Sequence, residues 1–63
     1  MHEFGIAEGV LKVALDTARQ HQAQKVEVVR LRIGALSGVV DEALTFAFAA
    51  LAEDTPAQGA RLV

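Results

Sequence analysis

Val29-Arg30-Leu31-Arg32-Ile33 decides the fold. Three branched apolar residues alternate with two arginines, the period of two that marks a half-buried strand. The strand is read over residues 25–34. Val26 and Val28 have the opposite parity. Either a bulge sits near Val28 and Val29, or the early part of the strand is buried on both faces. Arg30 and Arg32 read as a solvated strand face, with an acidic docking partner as the alternative.

Working outward toward the N-terminus, residues 6–21 carry a helical stripe of Ile6, Val10, Val13, Ala14, Thr17 and Ala18, with Leu11 and Leu15 beside it. Glu8, Lys12, Asp16, Arg19 and Gln20 lie opposite. Gly5 is expected to open this helix. His21 falls in its last turn, where a cation is favoured, and reads so in preference to a metal ligand. Polar Gln22-Ala23-Gln24 forms the exit. Residues 1–4 read as a short strand, with Phe4 anchored in the core.

Working outward toward the C-terminus, Gly34-Ala35-Leu36-Ser37-Gly38 is a break. A phosphate loop would need a Lys-Ser/Thr pair after the second glycine. Val39-Val40 stand there instead, so nucleotide binding is rejected. Asp41 and Glu42 open a second helix whose residues 43–51 are nearly all apolar. Such a helix is expected to be covered on more than one side, by the sheet and by a partner. Pro56 bars its extension. Gln58-Gly59 turns the chain into a third strand, Ala60–Val63, which reads as continuing past Val63. The order is β-α-β-α-β. The expected fold is α+β, two helices packed on one face of a small three-stranded sheet, with right-handed crossover of any parallel pair.

The 63 residues make one domain, residues 1–63. So small a chain has a thin core, and help from a partner, a metal or a further segment is expected. A net charge of −2 and no Lys/Arg run give no reason to expect nucleic-acid binding. There is no cysteine, so no thiolate metal site exists within the chain. No secretion signal is visible, and no apolar run reaches the length of a membrane span. A cytoplasmic setting is expected.

Chemistry concentrates at Met1-His2-Glu3. A free terminal amine, the His2 amide nitrogen and the His2 imidazole can close two fused chelate rings on one ion. Three nitrogens near one plane suit Ni(II) or Cu(II). The fourth donor is the Glu3 amide, its carboxylate or water. Bulky His2 should discourage removal of Met1. The bland reading is a frayed terminus. Enzyme readings find no support: Ser37 has no evident base, and the carboxylates form no recognisable pair.

These segments together resemble the HypA/HybF family of hydrogenase nickel incorporation proteins. The resemblance rests on Met1-His2-Glu3, on Gly5-Ile6-Ala7-Glu8-Gly9-Val10, and most specifically on the stretch from Val29 through Gly34-Ala35-Leu36-Ser37-Gly38 to Val39. Glu42-Ala43-Leu44, Phe46 and Phe48 continue it, followed by Thr55, Gly59, Ala60 and Leu62. It implies a nickel metallochaperone that holds Ni(II) through Met1, His2 and Glu3 and delivers it to [NiFe] hydrogenase, in some members also to urease. The implied partners are a nickel-insertion GTPase and the hydrogenase large subunit. The family also carries a structural zinc domain with two Cys-x-x-Cys pairs, for which this chain has no ligands. Asp41 stands where proline is expected in many relatives. The competing reading is a small α+β interaction or homodimerisation module with no metal role.

Overall fold

The computed structural model describes residues 3–31 and 42–63. In chain order the elements are α1 (Glu3–Gln20), β1 (Val28–Val29), α2 (Glu42–Ala52) and β2 (Arg61–Leu62). Arg32, Ile33, the Gly34–Gly38 break and Asp41 lie outside the described residues, as do Met1 and His2. β1 and β2 pair in parallel, with Val28 opposite Arg61 and Val29 opposite Leu62. The pairing is extended by backbone bonds. Arg61 N donates to Glu27 O at 2.9 Å, Val63 N to Val29 O at 3.0 Å, and Leu31 N to Val63 O at 2.9 Å. Parallel strands cannot be joined by a tight turn, and α2 lies in the connection between these two. The architecture is therefore α+β-like, two helices with a small parallel sheet.

The first strand is a correction. Glu3 and Phe4 belong to α1 rather than to a strand, and Gly5 lies inside the helix rather than opening it. Four residues are too few for parity to decide against a helix already set up downstream. Glu3 suits the positive end of that helix. Among the described residues the sheet has two strands, not three. Phe4 does not anchor the core; it is 49% exposed.

The face of α1 is also turned by one residue from the expected stripe. Ala7 is buried, with Val10, Leu11 and Leu15 packed against the core, while Ile6 and Val13 are exposed. The two stripes share Val10, Ala14 and Ala18, so the pattern alone does not choose between them. Packing does. α1 lies along α2, and Ala7, Ala47 and Ala52 are fully buried. Alanines at a helix contact permit close approach of the axes, which a stripe centred on Ile6 and Val13 would prevent. Phe48 and Leu44 of α2 supply the bulk of the core. Val29, Leu31 and Leu62 pack on it from the strands, and Arg30 is exposed, as the alternation requires. Val26 also packs inward while Glu27 and Val28 are both exposed, so the strand changes phase between Val26 and Val29.

Opposite the core, Asp16 of α1 accepts from Lys12 Nζ at 3.3 Å and from Arg19 Nη2 at 2.7 Å. The hydrogen bonds from Lys12 and then Arg19 hold the Asp16 carboxyl below its ordinary value. A lowered carboxyl contributes stability above its unfolded-state value and loses it as pH falls through the folded one. The three side chains are well exposed, so this pair of bridges adds little.

Both helix ends are closed by named contacts. Gln22 adopts φ 60°, Ala23 N donates to Ala18 O at 2.8 Å, and Gln22 N donates to Arg19 O at 3.1 Å. These are the two bonds of a Schellman turn, whose left-handed position favours glycine. Gln22→Gly is therefore expected to stabilise the chain by about 1 kcal/mol, from relief of the left-handed penalty. That is a rise of roughly 4–8 °C in Tm for a domain of this size, readable by thermal circular dichroism. At the end of α2, Thr55 Oγ1 donates to Ala52 O at 2.6 Å and accepts from Ala57 N at 3.0 Å. The threonine hydroxyl thus satisfies backbone groups that the ending helix leaves free. Pro56 then turns the chain toward β2, its carbonyl accepting from Val26 N at 2.8 Å.

Candidate metal centre

α1 is the element that positions the candidate site. It is described from Glu3, its 18 residues running to Gln20. Such a helix is a stiff rod, and α1 is fixed along its length by Val10, Leu11 and Leu15 against the core. The Glu3 side chain is half-buried.

The start of the helix has a chemical consequence. The N–H groups of the first turn have no carbonyl four residues back within the helix. The amide of Glu3 is one of these. Its proton can be lost, or its nitrogen used, without removing a hydrogen bond from α1. Had the helix begun at Gly5, as the sequence pattern suggested, Glu3 would have been a strand residue with its amide open to a ladder bond.

The other histidine is accounted for structurally. His21 closes α1, with Nδ1 3.0 Å from the Thr17 carbonyl oxygen. Its ring serves a carbonyl of the last turn, as its sequence position predicts. Among the described residues no group of three or more His, Cys, Asp or Glu side chains could hold a metal ion. Glu3 is the one member of the Met1-His2-Glu3 set whose placement is described.

A family model described as hydrogenase/urease nickel incorporation, metallochaperone, hypA matches residues 1–63. The chain belongs to the HypA family. The chain is 53% identical over 62 residues to the hydrogenase maturation factor HypA of Albidiferax ferrireducens, covering 98% of this chain and 55% of that protein. It is 48% identical over 63 residues to the HypA of Chloroflexus aurantiacus, covering 100% of this chain and 55% of the relative. The HypA of Chlorobaculum parvum is also 48% identical over 63 residues, with 56% of its length covered. The chain thus spans about half the length of the curated HypA relatives it matches. The role attached to the family is nickel incorporation, not catalysis.

Among the described residues no helix is long and apolar enough to cross a membrane.

Proposed function

We propose that residues 1–63 form a nickel-binding domain that holds Ni(II) at Met1, His2 and Glu3 and passes it on during maturation of a nickel enzyme. The recipient is a [NiFe] hydrogenase, with urease as the other candidate named by the family description. The observation that supports it best is the match of the nickel-incorporation family model over residues 1–63, Met1-His2-Glu3 included. The amine, the His2 amide and the His2 imidazole would take three corners of the flat coordination that Ni(II) favours, leaving the corner opposite the His2 amide to the Glu3 carboxylate or water. The Glu3 amide, ring-linked to the same His2 nitrogen, would enter only in place of the amine or the imidazole.

The same arrangement suits release. The positive end of the helix dipole works against a bound cation, by about 0.3–1 kcal/mol. Deprotonated amides carry the charge that offsets it. Metal uptake then requires the loss of amide protons and a neutral imidazole, so affinity falls steeply as pH drops. A terminal site is also open to a recipient's ligands without any unfolding of the core. The partners we infer are a nickel-insertion GTPase and the hydrogenase large subunit, working in the cytoplasm. A homodimer paired through an edge strand is the expectation of the competing reading.

Glu3 offers a direct test of the fourth donor. Glu3→Ala removes the carboxylate and keeps the amide. Glu3→Pro removes the amide proton at the first helical position, where proline is well tolerated. If the amide is a donor, in place of the amine or the imidazole, Glu3→Ala keeps the planar nickel spectrum and Glu3→Pro loses it, with helical circular dichroism intact in both. The reverse pattern would assign the carboxylate. Loss in neither would assign water.

A further inference from the structure

The two faces of α2 differ in a way that metal binding does not use. One face is the core, with Leu44, Ala47, Phe48 and Ala52 buried. The other carries Phe46 at 70% exposure, against 2% for Phe48 two residues on. Ala49 and Ala50 beside Phe46 are exposed as well. Short side chains around one large ring make the ring a protruding knob rather than part of a flat patch. Lone exposed apolar residues are unremarkable, but an aromatic ring above an alanine floor is the shape of an interface anchor.

The charges around the knob have one sign. Glu42 lies one turn before Phe46 on the same side of the helix, and Glu53 lies two turns after it. At about 1.5 Å of rise per residue the Glu42 carboxylate stands roughly 6 Å from the ring along the axis. Residues 42–54 contain no Lys or Arg. Both ion pairs among the described residues lie on α1. Glu53 and Asp54 also follow the C-terminal end of α2, where the dipole disfavours negative charge. Intrachain stability gives no reason for carboxylates there; recognition of a cationic group does.

We propose that this face of α2 docks a basic amphipathic segment of another protein, one that offers an apolar socket for Phe46 and Lys or Arg side chains to Glu42 and Glu53. A second copy of this chain fits the face poorly. Two α2 faces brought together would bury acidic side chains with no cation on either helix to meet them. The inference stands apart from the nickel reading, since it uses no residue of the metal site.

The test is an NMR titration of the ¹⁵N-labelled chain with a synthetic helical peptide bearing a leucine stripe flanked by lysines. A peptide with glutamates in place of the lysines is the control. The expected result is saturable binding with shifts centred on residues 42–53, weakened by salt, at least about tenfold weaker in Phe46→Ser, a loss typical of an interface anchor. Glu42→Gln with Glu53→Gln should also weaken it, and the glutamate peptide should fail to bind. Helical circular dichroism checks that Phe46→Ser is folded; if it is not, the glutamine pair and the two peptides carry the test. Shifts centred elsewhere, equal binding of both peptides, or unchanged affinity in a folded Phe46→Ser overturns the proposal. So does sedimentation showing that the chain alone self-associates through Phe46.

Discussion

His2→Ala abolishes stoichiometric Ni(II) binding and leaves the far-UV circular dichroism of the chain unchanged. Two of the proposed chelate rings share His2, through its amide and its imidazole. Losing the imidazole leaves an amine and amides, none of which is deprotonated at neutral pH without a strong anchoring ligand. Removal of one essential ligand is expected to cost at least about 100-fold in affinity, the upper end of what even outer-shell changes cost. The fold is indifferent because α1 takes its stability from packing at Ala7, Val10, Leu11 and Leu15. An unchanged nickel isotherm in His2→Ala removes His2 from the site.

The second large effect is on stability. Phe48 is the largest side chain fully enclosed in the core. Phe48→Ala is expected to cost about 3–5 kcal/mol, the usual range for deleting a buried ring. A chain of this size has little reserve; its area-minus-entropy balance lies near zero. The variant is therefore expected to lose most of its helical signal at 25 °C in urea-free buffer. Phe46→Ala, two residues away and exposed, should change stability by no more than about 0.5 kcal/mol. The pair forms an internal control: similar losses in both would mean that α2 is oriented differently from the arrangement described.

Much of this fold was legible in the sequence, and what was not has identifiable causes. α1, β1, α2 and β2 occur in the expected order. The alternation of Val29, Arg30 and Leu31 placed the strand's inner face correctly, because a two-residue period admits only two choices. The phase of α1 failed because its alanines read as neutral filler beside Ile6 and Val13. In the structure the alanine at position 7 is buried and the larger residues are exposed. Pattern reading weights side-chain size, whereas close helix packing selects for small residues. For α2 the apolar composition predicted cover on several sides. Among the described residues the Leu44–Phe48 side is covered and the Phe46 side is open.

The candidate site shows the same division. Met1-His2-Glu3 announces its chemistry through residue types alone, since terminal amine, amide and imidazole need no tertiary structure to lie in sequence. What the sequence misjudged was the support. A strand at residues 1–4 with Phe4 in the core was expected to hold the terminus. The support is instead a helix that begins at Glu3 and exposes Phe4. That change replaces a side-chain anchor by a rigid backbone.

The most direct test of the central claim is a nickel titration of the untagged chain beside the same chain acetylated at the Met1 amine, followed by visible absorption and X-ray absorption at the nickel edge. Acetylation turns the terminal amine into an amide and supplies no new one, while the sequence is unchanged. The expected result is one planar Ni(II) per untagged chain and a marked loss of both affinity and planar signature in the acetylated chain. Equal binding by the two proteins, or octahedral nickel in both, contradicts it.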